Sequence, residues 1–216
     1  MSGENTEKNT DALIESLCSD LKPCCKLRHP FWRGVPWIIL AFVYVVGTVY
    51  LQGFRPDIAT QTGVPEFIFE LGLVCAMAIT AAFCAVWLCV PDMRGQTWIV
   101  SIPFTLLFAF SLLIGARMAL GGFVLPQIQW CFCYQSSILY GIIPALTIFI
   151  VSLKGRTTHP NLLAFMVSLA VGGVGYFGLR LVCKSEDIGH IMVIHTLPYI
   201  LFGLIAALLA RRIYRW

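Results

Sequence analysis

The sequence predicts an all-α polytopic membrane protein, a bundle of six transmembrane helices preceded by a short N-terminal cytoplasmic amphipathic helix. Three observations carry this fold class. Of the 216 residues 58% are hydrophobic and only 12% are charged, about half the roughly 25% charge of a soluble domain. The mean hydropathy is +0.81. The chain also divides into six uncharged runs, each near the roughly 20 apolar residues that a bilayer core demands of a helix.

Residues 1–33 form the water-side segment and 34–216 the membrane domain. The opening MSGENTEKN is polar enough to trail as a tail. From Asp11 to Pro23 the chain reads DALIESLCSDLKP, where Leu13, Ile14, Leu17, Cys18 and Leu21 recur as one stripe of an α-helix. Thr10 or Asp11 caps the start and Pro23 blocks continuation. About a dozen residues make a marginal helix in water, so the stripe needs a surface. A bilayer surface is disfavoured because the polar face is mostly acidic rather than basic. Folding back onto the bundle and binding a cytoplasmic protein both remain open.

The spans fall at 34–54, 71–91, 95–116, about 131–153, 157–179 and 188–210. The uncharged stretch before the fourth is a poor helix, interrupted by Gly121, Gly122 and Pro126. Pro103, Pro144 and Pro198 lie inside spans and bend them, with neighbouring helices re-satisfying the freed carbonyls. In the fifth span Ala164, Ser168 and Gly172 recur every four residues, and Ala170 and Gly178 form a neighbouring row. Small residues at that spacing let helices approach closely, and packing within the chain is the favoured use.

Orientation follows from lysine and arginine. Of the 15, Lys8, Lys22, Lys26, Arg28, Arg33, Arg94, Lys154, Arg156, Arg211, Arg212 and Arg215 fall on the side of the termini. Arg55, Arg117, Arg180 and Lys184 fall on the other. The positive-inside rule therefore puts both termini in the cytoplasm, and no cleavable leader precedes the first span. The basic residues are dispersed among loops, so the net charge of +4 needs no nucleic-acid partner.

The membrane part carries little reactive equipment. Glu66, Glu70, Arg117 and Arg180 fall near outer span ends, where snorkelling or loop pairing is cheap, and only His195 sits clearly within a span. A lone histidine hydrogen-bonded to a neighbouring helix is its favoured reading, which makes an ion pathway a weak hypothesis. HExxH, GxSxG and phosphate-cradling glycine loops are missing. The sequence reads as a non-enzyme without a cofactor.

The nine cysteines form three groups. Cys18, Cys24 and Cys25 are on the reducing side, and adjacent Cys24 and Cys25 do not match a zinc ligand pair. Cys75, Cys84 and Cys89 lie in the second span and behave as small apolar residues. Cys131 and Cys133, at the outer mouth of the fourth span, and Cys183, at that of the fifth, are candidates for a disulfide or a thiol sensor. His190 is near enough in sequence to join Cys183 as a metal ligand. A sensory role and a static or incidental set of thiols are equally compatible with these residues.

The order TDALIESLCSDLKPCCKLRHPFWRG, six spans and terminal ALLARRIYRW resembles the NrsF family of bacterial membrane anti-sigma factors along essentially the whole chain. The more specific parts are the LIxxLxxDLxP helix (Leu13, Ile14, Leu17, Asp20, Leu21, Pro23), the outer cysteines and Arg215-Trp216. The resemblance implies a regulator in the bacterial inner membrane whose N-terminal helix binds an ECF-type sigma factor and withholds it from RNA polymerase. It also implies an outer cysteine pair linked to a response to heavy metals or oxidants. Cys183 matches one member; Cys133 fits the other better by its distance from Pro144, with Cys131 an extra thiol beside it. The runner-up is a quinone-linked, disulfide-forming membrane enzyme, against which stand the lack of an outer C-x-x-C and the odd number of outer cysteines.

Overall fold

The computed structural model describes residues 3–19, 29–90, 96–122, 124 and 132–214. Asp20, Leu21, Pro23, Cys24, Cys25, Cys131, Arg215 and Trp216 lie outside the described residues. Among the described residues the secondary structure is all helix, without a strand. Helix α1 (Gly3–Ser19) precedes α2 (Pro30–Gln52), the short α3 (Ile58–Gln61), α4 (Pro65–Trp87), α5 (Trp98–Gly121), α6 (Phe132–Leu153) and α7 (Pro160–Val182). The last long helix has three parts: α8 (Ile188–His190), a π-helical turn (Ile191–Thr196) and α9 (Leu197–Ile213). Six helices are long and apolar enough to cross a membrane: α2, α4, α5, α6, α7 and the composite Ile188–Ile213.

Helix α1 begins at Gly3, so the expected trailing tail is largely helical. Glu4, Glu7 and Lys8 are good helix formers, acidic groups near an N-terminus favour the helix dipole, and Glu4 and Lys8 have the supportive i, i+4 spacing. Polarity alone does not unwind a segment of this composition.

Three span boundaries also move for one reason. Helix α4 starts at Pro65, which occupies the first turn where its missing N–H is harmless. It thereby takes in Glu66 and Glu70, just as α5 takes in Arg117 and α7 takes in Arg180. Counting uncharged runs ends a helix at each of these charges. The helices continue through Glu70, Arg117 and Arg180 because these side chains pair with one another.

Helix α7 is the most buried of the spans and packs against α2, α4, α6 and α9, while α5 lies against α4. One core gathers Trp37, Val45, Ala78, Tyr140, Leu163 and Val174. A smaller one gathers Val74, Phe110, Ile114, Tyr176 and Ile191. The opposite faces remain apolar and exposed, as at Phe108 and Leu112 on α5 and Leu204 and Leu208 on α9. Lipid is the solvent those faces fit.

The small-residue rows of α7 are spent inside the chain. Ser168 meets Gly203, and Gly172 meets Tyr199 on α9. Gly173 meets α4, where an added Cβ would stand 2.8 Å from the Ala78 Cβ and 3.3 Å from its Cα. Backbone cannot swing aside as a side-chain tip can. Gly173→Ala is therefore expected to destabilise the bundle by about 1–3 kcal/mol through overpacking. Gly72→Ala, with nothing within 4 Å of its added Cβ, should be neutral or stabilising. Paired unfolding titrations in detergent check the contrast.

Proline acts in two ways. Helices α5 and α6 run continuously through Pro103 and Pro144. Beside the latter, the Trp37 indole N–H donates to the Pro144 carbonyl and the Thr147 hydroxyl, both at 3.0 Å. Pro198 instead follows directly on the π turn, where the Leu197 N–H reaches back to the Met192 carbonyl, one residue further than in an α-helix.

Candidate functional site

Four metal-ligating or nucleophilic side chains converge where α6 begins and α7 ends. Cys133 lies in the first turn of α6 and Cys183 caps the C-terminus of α7. His190 ends α8, and His195 lies in the π turn. The Cys133 and Cys183 sulfurs are 3.3 Å apart, and Cys183 Sγ is 3.4 Å from His190 Nε2. One ligand atom from each of the four residues lies within 4.8 Å of the others. No disulfide joins Cys133 to Cys183. A disulfide bond measures about 2.05 Å, so the sulfurs are in contact without being joined.

Local backbone chemistry brings the histidines to the thiols. Asp187 opens α8, its carboxylate accepting the His190 N–H at 2.8 Å. Gly189 lies so close to the Val124 carbonyl that an added Cβ would fall 1.9 Å from its oxygen. Residues five apart in an α-helix point about 140° away from each other. The π turn, whose hydrogen bonds span five residues, aligns them instead. The His190 and His195 ring centroids are 5.3 Å apart.

His195 is fully buried, and among the described residues neither ring nitrogen makes a hydrogen bond of normal geometry, although Cys183 lies close enough to interact with it electrostatically. This corrects the expectation of a lone histidine tied to a neighbouring helix. Its ring stands edge-on to Tyr176 and to His190. It also borders a largely apolar cleft of about 670 Å³ between α5, α7 and α9. The signal in the sequence was the five-residue interval between the histidines with a proline three residues beyond.

Cys183 is held below the ordinary thiol range. The Cys133 thiol contact contributes most, burial opposes it, and the histidines add to the lowering. A thiol so placed gives up its proton more readily to become thiolate, the form that attacks oxidants and binds soft cations.

Beside this cluster lies an ion-pair network that the sequence reading did not anticipate. Glu70, almost fully buried, accepts from Arg180 Nε at 2.8 Å, Arg117 Nη1 at 2.6 Å and the Tyr176 hydroxyl at 2.6 Å. Glu186 receives Arg55 at 2.6 Å, Arg180 at 2.9 Å and Arg117 at 3.3 Å. Arg55 also makes a paired contact with Asp57, both distances 2.8 Å. The Phe67 ring faces the guanidinium groups of Arg55 and Arg180. The expected loop pairing occurs, since Arg180 and Arg117 both reach Glu186 of the loop after α7, and it extends inward to the buried Glu70, so that three arginines and three carboxylates neutralise one another.

The perturbed charges agree with that pairing. The Arg55 hydrogen bond holds the Asp57 carboxyl down at about 2. Burial pushes Glu186 up, but hydrogen bonds and charge from Arg180 and Arg55 bring it below the usual carboxylate range. Glu186 stands between Cys183 and His190 in the chain, so the network and the thiol cluster share one loop.

The apolar stripe of α1 is separate from this site. Leu13, Ile14 and Leu17 are 60%, 52% and 62% exposed, and none belongs to either core.

The architecture defines a class: a six-span helical membrane protein with an exposed N-terminal amphipathic helix and a partly buried thiol–imidazole cluster. The chain matches the family model NrsF, negative regulator of sigma F, over residues 17–216, and it belongs to that family. It is a negative regulator of a sigma factor. No curated protein and no solved structure matches it.

Proposed function

We propose that this chain is an anti-sigma factor of the bacterial inner membrane. It holds an ECF-type sigma factor on the cytoplasmic side with Leu13, Ile14, Leu17, Asp20 and Leu21, and senses thiol chemistry at Cys133 and Cys183 on the opposite side. The observation that carries the reading is the exposed stripe on α1. Leu13, Ile14 and Leu17 present large apolar groups outside both cores, in a chain whose family regulates a sigma factor. Leu13 and Ile14 precede the matched segment, which begins at Leu17. Both termini share a face, since six crossings return the chain to its starting side, and the lysine and arginine distribution argues that this face is cytoplasmic.

Burial of Leu13, Ile14 and Leu17 supplies about 1.5–3 kcal/mol each before ordering costs. That strength suits a clamp that must let go. Release requires two bundle states whose energies a thiol event changes differently. Contact between Cys133 and Cys183 joins α6 to α7, so a bond or a shared ligand there favours one packing of these helices over another.

The test is co-purification of the sigma factor with the full chain from membranes. Retention is expected, and its absence would overturn the reading. The sensory half is tested separately. Cys183→Ser should retain capture but lose release on treatment with a thiol oxidant or a thiophilic metal, followed as transcription from a sigma-dependent promoter. An unchanged response in the variant would discard the sensory role.

A further inference from the structure

We propose that Cys133, Cys183, His190 and His195 form a tetrahedral Cys₂His₂ site for a thiophilic divalent cation of the Zn²⁺ class. The inference rests on the sensory reading of the cysteines above and adds the two histidines and the ligand class. Four donors from three spans meet with no competing carboxylate among them. Sulfur and imidazole nitrogen in a two-plus-two set select Zn²⁺-like ions over hard cations such as Mg²⁺ or Ca²⁺.

Distances agree with such a site. Bonds of about 2.3 Å to sulfur and 2.0–2.1 Å to nitrogen place tetrahedral ligand atoms roughly 3.3–3.8 Å apart. Cys183–His190 at 3.4 Å already lies near the sulfur–nitrogen separation, and Cys133–Cys183 at 3.3 Å has to open by about half an ångström to the sulfur–sulfur one. The outer limit of 4.8 Å calls for an inward shift of about an ångström.

The second, independent observation is His195. A fully buried imidazole with neither nitrogen in a hydrogen bond of normal geometry among the described residues loses favourable free energy unless something meets it. A cation on the adjacent thiolates supplies a partner for one nitrogen. Charge also closes: the ion displaces two thiol protons to solvent, and two thiolates then neutralise it. The neighbouring arginines are already matched by Glu70, Glu186 and Asp57. The π turn acquires a purpose, since without it His190 and His195 would point apart.

The experiment uses the full reduced chain in detergent, with Cys18, Cys24 and Cys25 changed to serine, titrated with Co²⁺ and then Zn²⁺. One Co²⁺ per chain with intense tetrahedral visible bands is expected, displaced by Zn²⁺. His190→Ala and His195→Gln should each weaken binding by about 100-fold or more, beyond the roughly 10–100-fold typical of outer-shell changes. His195→Cys should restore tight binding with a spectrum shifted towards more sulfur. Absence of a tetrahedral spectrum in the parent protein would overturn the proposal. So would histidine variants with parental affinity and bands, an outcome that leaves the cysteine sensor standing. Retention of the sigma factor by all these variants is expected, and is scored apart from metal binding.

Discussion

Leu17→Asp is expected to abolish capture of the sigma factor while the six spans insert as before. Leu17 lies near the middle of the Leu13–Ile14–Leu17–Leu21 stripe and is the most exposed of its described members, at 62%. Because it packs in neither core, its replacement leaves the bundle intact. In a complex, the substitution removes about 1.5–3 kcal/mol of apolar burial. It also places a carboxylate at an apolar contact, where desolvation without a partner adds further loss. Together these reach about 2.8 kcal/mol, two steps of the roughly 1.4 kcal/mol that each tenfold change in affinity takes, so a weakening of about a hundredfold should appear. Membrane fractionation reports insertion and pull-down reports capture. A variant that inserts and still retains its sigma factor would refute the clamp. Glu15→Gln, on the polar side of the same helix, should change little.

Glu70→Leu should bring the largest loss of stability. Glu70 accepts from Arg180 Nε, Arg117 Nη1 and the Tyr176 hydroxyl together, as no other carboxylate among the described residues does. Its side chain and that of Arg180 are 2% and 1% exposed, so solvent screens the pair little. Removing one partner of a buried ion pair costs about 3–5 kcal/mol, because the other charge stays behind unmatched. Arg180 keeps Glu186, which favours the lower end. The double variant Glu70→Leu with Arg180→Met should recover much of the loss, since no buried charge is then stranded. Denaturant titration in detergent measures both. A single variant within about 1 kcal/mol of the parent would show that the pair is not structural.

The membrane architecture was legible because lipid imposes a simple rule: backbone polar groups close their hydrogen bonds within a helix, and side chains outside it must be apolar. Six uncharged runs therefore became six helices. The same rule misplaced the ends at Glu70, Arg117 and Arg180, since a charge satisfied by a distant charge is indistinguishable in sequence from one that reaches water. Composition likewise concealed the helical start of α1 at Gly3. Of the thiol cluster, Cys133, Cys183 and His190 were readable as candidates near two span ends. His195 was not, because helical periodicity assigns it the wrong face; only a π turn before Pro198 brings it round.

That turn has a mechanical consequence. One residue beyond α-helical register is stored between Ile191 and Thr196. Were the coil to tighten and pass that residue along, everything after it would swivel by about 100° and slide by about 1.5 Å. Tyr199, whose hydroxyl now grips the Ser137 carbonyl at 2.8 Å, would lose its hold, and Arg211 and Arg212 at the far end would sweep across the membrane surface. A small rearrangement among thiols and imidazoles thus has a lever as long as the final helix.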